Sequence, residues 1–199
     1  MRAILGALAG AVVLFVWGFV FWVQLAWTLD GLRALEPAQE EAIVATLQAN
    51  IPETGVYYFP GMPTHGKDLS DEEGKRRTEE WTARHEAGPL GTIVFNAQGR
   101  SVQDPVVFIR GFLINLIATI LVSIVVIMAG AGGAGFGKRW MIVLIFGLGA
   151  SVTTHLVQWN WMYVPTDNVI MACIDTVVGW ALAGLAIAAI IRTPKARTK

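Results

Sequence analysis

Residues 106–128 read VVFIRGFLINLIATILVSIVVIM, and this stretch decides the fold. It holds a single charge, Arg110, in a run longer than the ~20 apolar residues that carry a helix across a bilayer. Three other stretches share its length and character: Ile4–Trp27, Trp140–Tyr163 and Asn168–Ile191. Lipid offers no partner to an open backbone, so each is expected to be a helix. The whole chain agrees: of 199 residues 54% are hydrophobic and 15% charged, with mean hydropathy +0.54. A soluble domain carries about 25% charged residues. Composition thus excludes a disordered chain and an ordinary soluble domain. A formal net charge of zero argues against a globally basic nucleic-acid binder. Cys173 is the only cysteine, so no intrachain disulfide can form.

Charge asymmetry predicts an orientation. Arg2, Lys138, Arg139, Arg192, Lys195, Arg197 and Lys199 fall on one side with no acid among them. Residues 29–105 hold thirteen acids against seven bases. The positive-inside rule then puts both termini and the Gly130–Arg139 loop in the cytoplasm, and residues 29–105 outside. Trp22, Trp27, Trp159, Trp161 and Tyr163 would form an outer aromatic belt, with Trp140 at the inner face. The first apolar run is too long for a signal-peptide core and lacks a good cleavage site, so it reads as an uncleaved anchor.

The segment between the first two spans is patterned rather than linker-like. Pro37 suits the first turn of a helix running to about Asn50, with Ile43, Val44 and Leu47 on one face. Gly55–Phe59 reads as a strand stopped by Pro60-Gly61, and Thr92–Phe95 as a second. Ser70 with Glu73 forms a capping-box pattern for a helix ending near Gly88. That helix offers i,i+4 pairs Glu72–Arg76, Glu73–Arg77 and Glu80–Arg84. The expected fold is an all-α transmembrane four-helix bundle with a small α+β extracytoplasmic domain inserted between helices 1 and 2. Residues 1–28 supply the first helix, 29–105 the cap, and 106–199 the remaining helices (about 106–128, 140–163 and 168–191) and a basic tail. So small a cap is expected to rest on the outer ends of the spans.

Several motifs carry less than they suggest. Gly130, Gly132 and Gly135 satisfy G-x-G-x-x-G, and Gly132…Gly137-Lys138 resembles a phosphate loop. The first needs a preceding strand; the second lacks its Ser or Thr, because Arg139 follows. Gly6/Gly10, Gly147/Ser151 and Gly179/Ala183 are small-xxx-small pairs that suit close helix packing, within the chain or between copies. His65 and His85 belong to no dense ligand pattern, so no metal and no cofactor is expected. One histidine in the spans excludes a bis-imidazole haem within one protomer. Nucleophile motifs are absent, and no catalytic residue is assigned.

The polar residues inside the spans are the informative ones. At ~1.5 Å rise per residue, His155, Asp175 and Asn115 all fall ~10–13 Å below the outer surface. His155 and Asp175 lie on antiparallel neighbours and are placed to pair. Arg110, Gln24 and Gln158 lie shallower. An intramembrane carboxylate is costly and marks a functional-site hypothesis. The candidate ligand-binding residues are therefore Asp175, His155, Asn115, Arg110 and Gln158, with an interhelical clasp as the competing explanation.

The run Tyr57–Pro63 after an amphipathic helix, followed by Gly88-Pro89-Leu90-Gly91, resembles a family of four-span bacterial integral membrane proteins with an extracytoplasmic α+β insert. Trp159–Tyr163 and Ile174–Gly184 fit the same likeness, which covers nearly the whole chain. The resemblance implies a multi-pass protein of the bacterial inner membrane, and no particular chemistry.

Two functions are expected from these features. One is a non-catalytic accessory or scaffold subunit, alone as a homo-oligomer or in a membrane-protein complex. The other is binding or transport of a lipid, quinone or other amphiphile at an outer-leaflet polar pocket. A membrane enzyme using Asp175 and His155 ranks third.

Overall fold

A computed structural model describes residues 1–29, 31–63, 71–130 and 133–192. Its elements are α1 (Arg2–Val20), α2 (Pro37–Asn50), β1 (Gly55–Phe59), α3 (Glu72–Ala87), β2 (Gly91–Phe95), α4 (Pro105–Met128), α5 (Phe136–Ser151), α6 (Val157–Met162) and α7 (Thr166–Ile190). Four helical stretches are long and apolar enough to cross a membrane: Arg2–Thr28, Pro105–Met128, Phe136–Met162 and Thr166–Ile190. Two of them contain a π-turn. Phe21–Leu25 continues α1, and Val152–Leu156 joins α5 to α6.

The chain divides into two units. The first comprises residues 1–33, 102–160 and 164–199 and contains the apolar helices. Here α7 packs against both α1 and α5, and α1 also packs against α4. Each small-residue pair seen in the sequence closes one of these contacts. A Cβ on Gly6 would sit 2.8 Å from Ile191, and one on Gly10 2.8 Å from Ile187. At Gly147 it would lie 2.4 Å from the Cβ of Trp180, and at Gly179 2.9 Å from the Trp17 ring. Between apolar helices in lipid no hydrophobic force favours association, so backbone approach and van der Waals contact must supply it. The resulting core gathers Val122, Val126, Val143, Trp180, Ile187 and Ile191. A second cluster joins Phe21, Ala26 and Met171.

The start of α7 is tied to the chain leaving the first helix. Arg33 pairs with Asp167 at 2.9 Å, and the Asn168 amide donates to the Gly31 carbonyl at 2.8 Å. At its other end the carbonyl of Ala188 lies beyond the last regular helical bond. The buried Arg139 guanidinium supplies the donor, at 2.9 Å, and also bonds the Ala134 carbonyl. This corrects the expected Gly130–Arg139 loop. The helix begins at Phe136, so Lys138 and Arg139 are helical. Met128 and the residues before it are helical, so no strand precedes the glycine run. Gly132 lies outside the described residues, as do Lys195, Arg197 and Lys199.

The second unit is residues 34–101 with 161–163. β1 and β2 pair antiparallel, Gly55 opposite Phe95 and Phe59 opposite Gly91. The Phe59 ring covers Gly91, where a Cβ would come within 2.3 Å of it, so an aromatic side chain fills the space a glycine leaves in a strand. Pro37 opens α2 as expected, with Glu36 and Gln39 forming a capping box. The apolar residues of α2 are not buried: Ile43 and Val44 stay 44% and 42% exposed. Ser70 and His65 lie outside the described residues; α3 is capped by Asp71, whose carboxylate accepts from the Gly74 amide at 2.6 Å. Of the expected pairs only Glu73–Arg77 forms, at 3.8 Å. Glu72 takes Lys75, and Arg76 bridges Glu73 and Glu80. Arg84 turns to the Glu80 carbonyl at 3.4 Å. His85, expected on a solvated face, lies against the rings of Trp81 and Tyr163.

Two predictions follow from the helix contacts. Gly147→Ala must push α5 from α7, because the obstructing Trp180 atom is bound directly to the main chain; overpacking costs roughly 1–3 kcal/mol. Gly149→Ala, where a Cβ meets nothing within 4 Å, gains up to about 1 kcal/mol of helix propensity. Thermal unfolding in detergent should separate the two in sign. Arg139→Met should lower the melting temperature by removing charge-assisted bonds worth roughly 1.5–3 kcal/mol each, whereas Lys138→Met, at an exposed position, should leave it near the native value.

Candidate functional site

Asp175 lies nine residues into α7, ~13 Å from its start. One carboxylate oxygen, Oδ2, accepts from the indole Nε1 of Trp22 at 2.9 Å. The main-chain oxygen of the same residue accepts from the Nε1 of Trp17 at 3.0 Å. The Trp17 indole lies close enough to act on the carboxyl group as well, so two indoles flank it.

The carboxylate borders a cavity of about 270 Å³ between α1, α4 and α7. Trp17, Trp22 and Trp180 wall it, and Asn115, Asp175 and Thr176 bring polar atoms to it. Gly18 lines it too, and a Cβ there meets nothing within 4 Å, so the helix opens directly onto the space. The Asn115 carboxamide has no hydrogen-bond partner among the described residues; its main-chain oxygen accepts from Thr119 at 2.9 Å. Trp22 is 40% exposed, placing it at the rim.

The expected Asp175–His155 pair does not form. His155 Nε2 lies 2.8 Å from the Thr176 hydroxyl instead. Asp175 and Thr176 are neighbours on α7 but engage different helices, the first turned to α1 and the second to the π-turn before α6. Of the five sequence candidates, Asn115 and Asp175 line the cavity. His155 reaches its edge only through Thr176. Arg110 and Gln158 are exposed and line no part of it. Gln24 is likewise exposed.

The residues that sequence reasoning missed are the indoles. Trp22 was assigned to an interfacial belt on its depth alone, and Trp17 to nothing. A depth estimate carries no rotation. Trp22 and His155 both sit within π-turns, where the regular step of a helix no longer holds and which recur at functional sites. A tryptophan a few residues above an intramembrane acid on a partner helix was the available signal, since an indole N–H is a donor that an apolar helix can carry.

Asp175 is the one titratable residue lining the cavity. No group of three or more His, Cys, Asp or Glu able to hold a metal occurs among the described residues. The lining thus offers a carboxylate, a carboxamide and a hydroxyl among three indole rings. The chain matches no family model, and no match is found among curated proteins or solved structures.

Replacing Trp22 by Phe keeps the aromatic wall and removes the donor to Oδ2. A bond to a charged group contributes roughly 1.5–3 kcal/mol, less at a partly open rim. Trp159→Phe removes a bond to the neutral Thr166 hydroxyl, worth about 0.5–1.5 kcal/mol. The first substitution should lower the melting temperature more than the second. Equal shifts would show that the carboxylate does not depend on Trp22.

Proposed function

We propose that this is a multi-pass membrane protein that binds a small polar or amphiphilic molecule in the cavity beside Asp175. One observation carries the reading: two polar side chains, Asp175 and Asn115, line one open space among apolar helices, and the hydrogen bonds among the described residues do not fully satisfy either. Leaving such groups unpaired away from water costs on the order of 1–3 kcal/mol each, and lipid tails cannot offset it. A bound molecule can. The space lies at the small end of ligand sites, which run about 300–1,000 Å³. It suits a headgroup or a compact molecule better than the whole of a quinone.

The charge distribution supports an orientation with both termini in the cytoplasm, residues 29–105 outside, and the cavity in the outer leaflet of a four-helix bundle. The family likeness supports a bacterial inner membrane. The accessory-subunit reading ranks second. Small-residue helix faces were one of its supports, and those glycines are in contact with this chain's own side chains.

Gly18→Leu tests the proposal. A Cβ at this position meets nothing within 4 Å, so the new side chain starts in open space beside the cavity. The native protein should carry a retained small molecule in native mass spectrometry from mild detergent. The variant should lose it at least tenfold while melting within a few degrees of native. An empty native protein, or equal retention by the variant, would remove the basis for the pocket.

A further inference from the structure

We infer that the ligand presents an organic ammonium group to Asp175. This rests on the pocket proposed above and assigns its chemical class. The first step is the charge of the carboxylate. No Lys or Arg side chain forms an ion pair with Asp175 among the described residues. The arginines nearest in kind are engaged elsewhere: Arg33 holds Asp167, and Arg139 docks on main-chain carbonyls. His155 is turned to Thr176. Within hydrogen-bond distance the protein therefore offers this carboxylate neutral indole donors; His155 acts on it only from farther away, across Thr176.

The second step is selection among possible occupants. A neutral alcohol or amide would pair with the carboxyl only in its protonated form, whereas a cation compensates the ionised form in an apolar setting, where charged side chains are ordinarily paired. Calcium and magnesium take six or more oxygen ligands and zinc three or four protein ligands, whereas the cavity holds one carboxylate and no histidine or cysteine among the described residues. An organic ammonium ion meets both needs. Its charge compensates Asp175, and its carbon substituents meet Trp17, Trp22 and Trp180. Indole walls beside an acid favour such cations through the ring quadrupole. Asn115, on the opposite helix, offers a donor and an acceptor to a hydroxyl or ester oxygen carried next to the nitrogen. A free amine and the headgroup of a zwitterionic lipid share this chemistry.

The test uses radiolabelled choline and its neutral carbon isostere, 3,3-dimethylbutan-1-ol, on the full chain in nanodiscs of phosphatidylglycerol at fixed sodium concentration. Choline should bind saturably, and the isostere should fail to displace it at concentrations where unlabelled choline displaces it fully. Asp175→Asn, which keeps an acceptor for Trp22, should weaken choline binding at least tenfold. Gly18→Leu should abolish it without altering charge. Adding phosphatidylcholine to the nanodiscs separates the sources: competition assigns the lipid headgroup, and undiminished choline binding assigns a free amine. Displacement by the neutral isostere, or undiminished binding by a folded Asp175→Asn, overturns the ammonium assignment. Absence of choline binding, with a small molecule still retained by the native protein but not by Gly18→Leu, overturns this inference and leaves the pocket standing. Absence of both overturns the two together.

Discussion

Three main-chain oxygens of α7 each receive a hydrogen bond from a side chain of another helix: Asp175 from Trp17, Ala181 from Trp140 and Ala188 from Arg139. A carbonyl has two lone pairs, so a helical one can accept a second donor without giving up its own ladder. These bonds lie on two neighbours, α1 and α5, and glycines let both approach. With no water to drive helices together, such contacts carry the association. The rest of this unit depends on α7 being held from both sides, because the carboxylate at its centre is positioned by the same grip. Trp17 fixes the main chain of Asp175, and Trp22, one turn on, meets its side chain.

The cavity follows from what that grip leaves unfilled. Gly179 brings Trp17 close against α7, while Gly18 on the facing helix has no opposing atom near it. One glycine closes a contact and the other leaves a space. Between them stand the side chains of Asp175 and Asn115, which the hydrogen bonds among the described residues do not fully satisfy. In a soluble protein, ordered water would resolve this.

Much of this arrangement was readable beforehand, and the reasons differ by element. The apolar helices were legible because length and hydropathy constrain them directly: the run 106–128 became Pro105–Met128 with one added residue at its start. Pro37 and Pro60 marked boundaries because a fixed φ and a missing donor act locally. The β1–β2 pairing was legible from two short runs of strand formers. Rotation about helix axes was not. His155, Asp175 and Asn115 were placed at a common depth, yet depth alone could not tell that His155 would face Thr176. Ion-pair spacing was ambiguous for a related reason. Arg76 can reach three residues back or four residues on, and it does both rather than pairing with Glu72.

Arg139 has a consequence for the history of the chain. A basic residue beside an apolar run acts on insertion before any helices have met, and at that stage only its charge matters. In the folded chain the same guanidinium is buried, and its planar fork bridges two carbonyls on different segments. Lysine would serve the first role but lacks the geometry for the second. One side chain thus joins the segment that opens α5 to the end of α7.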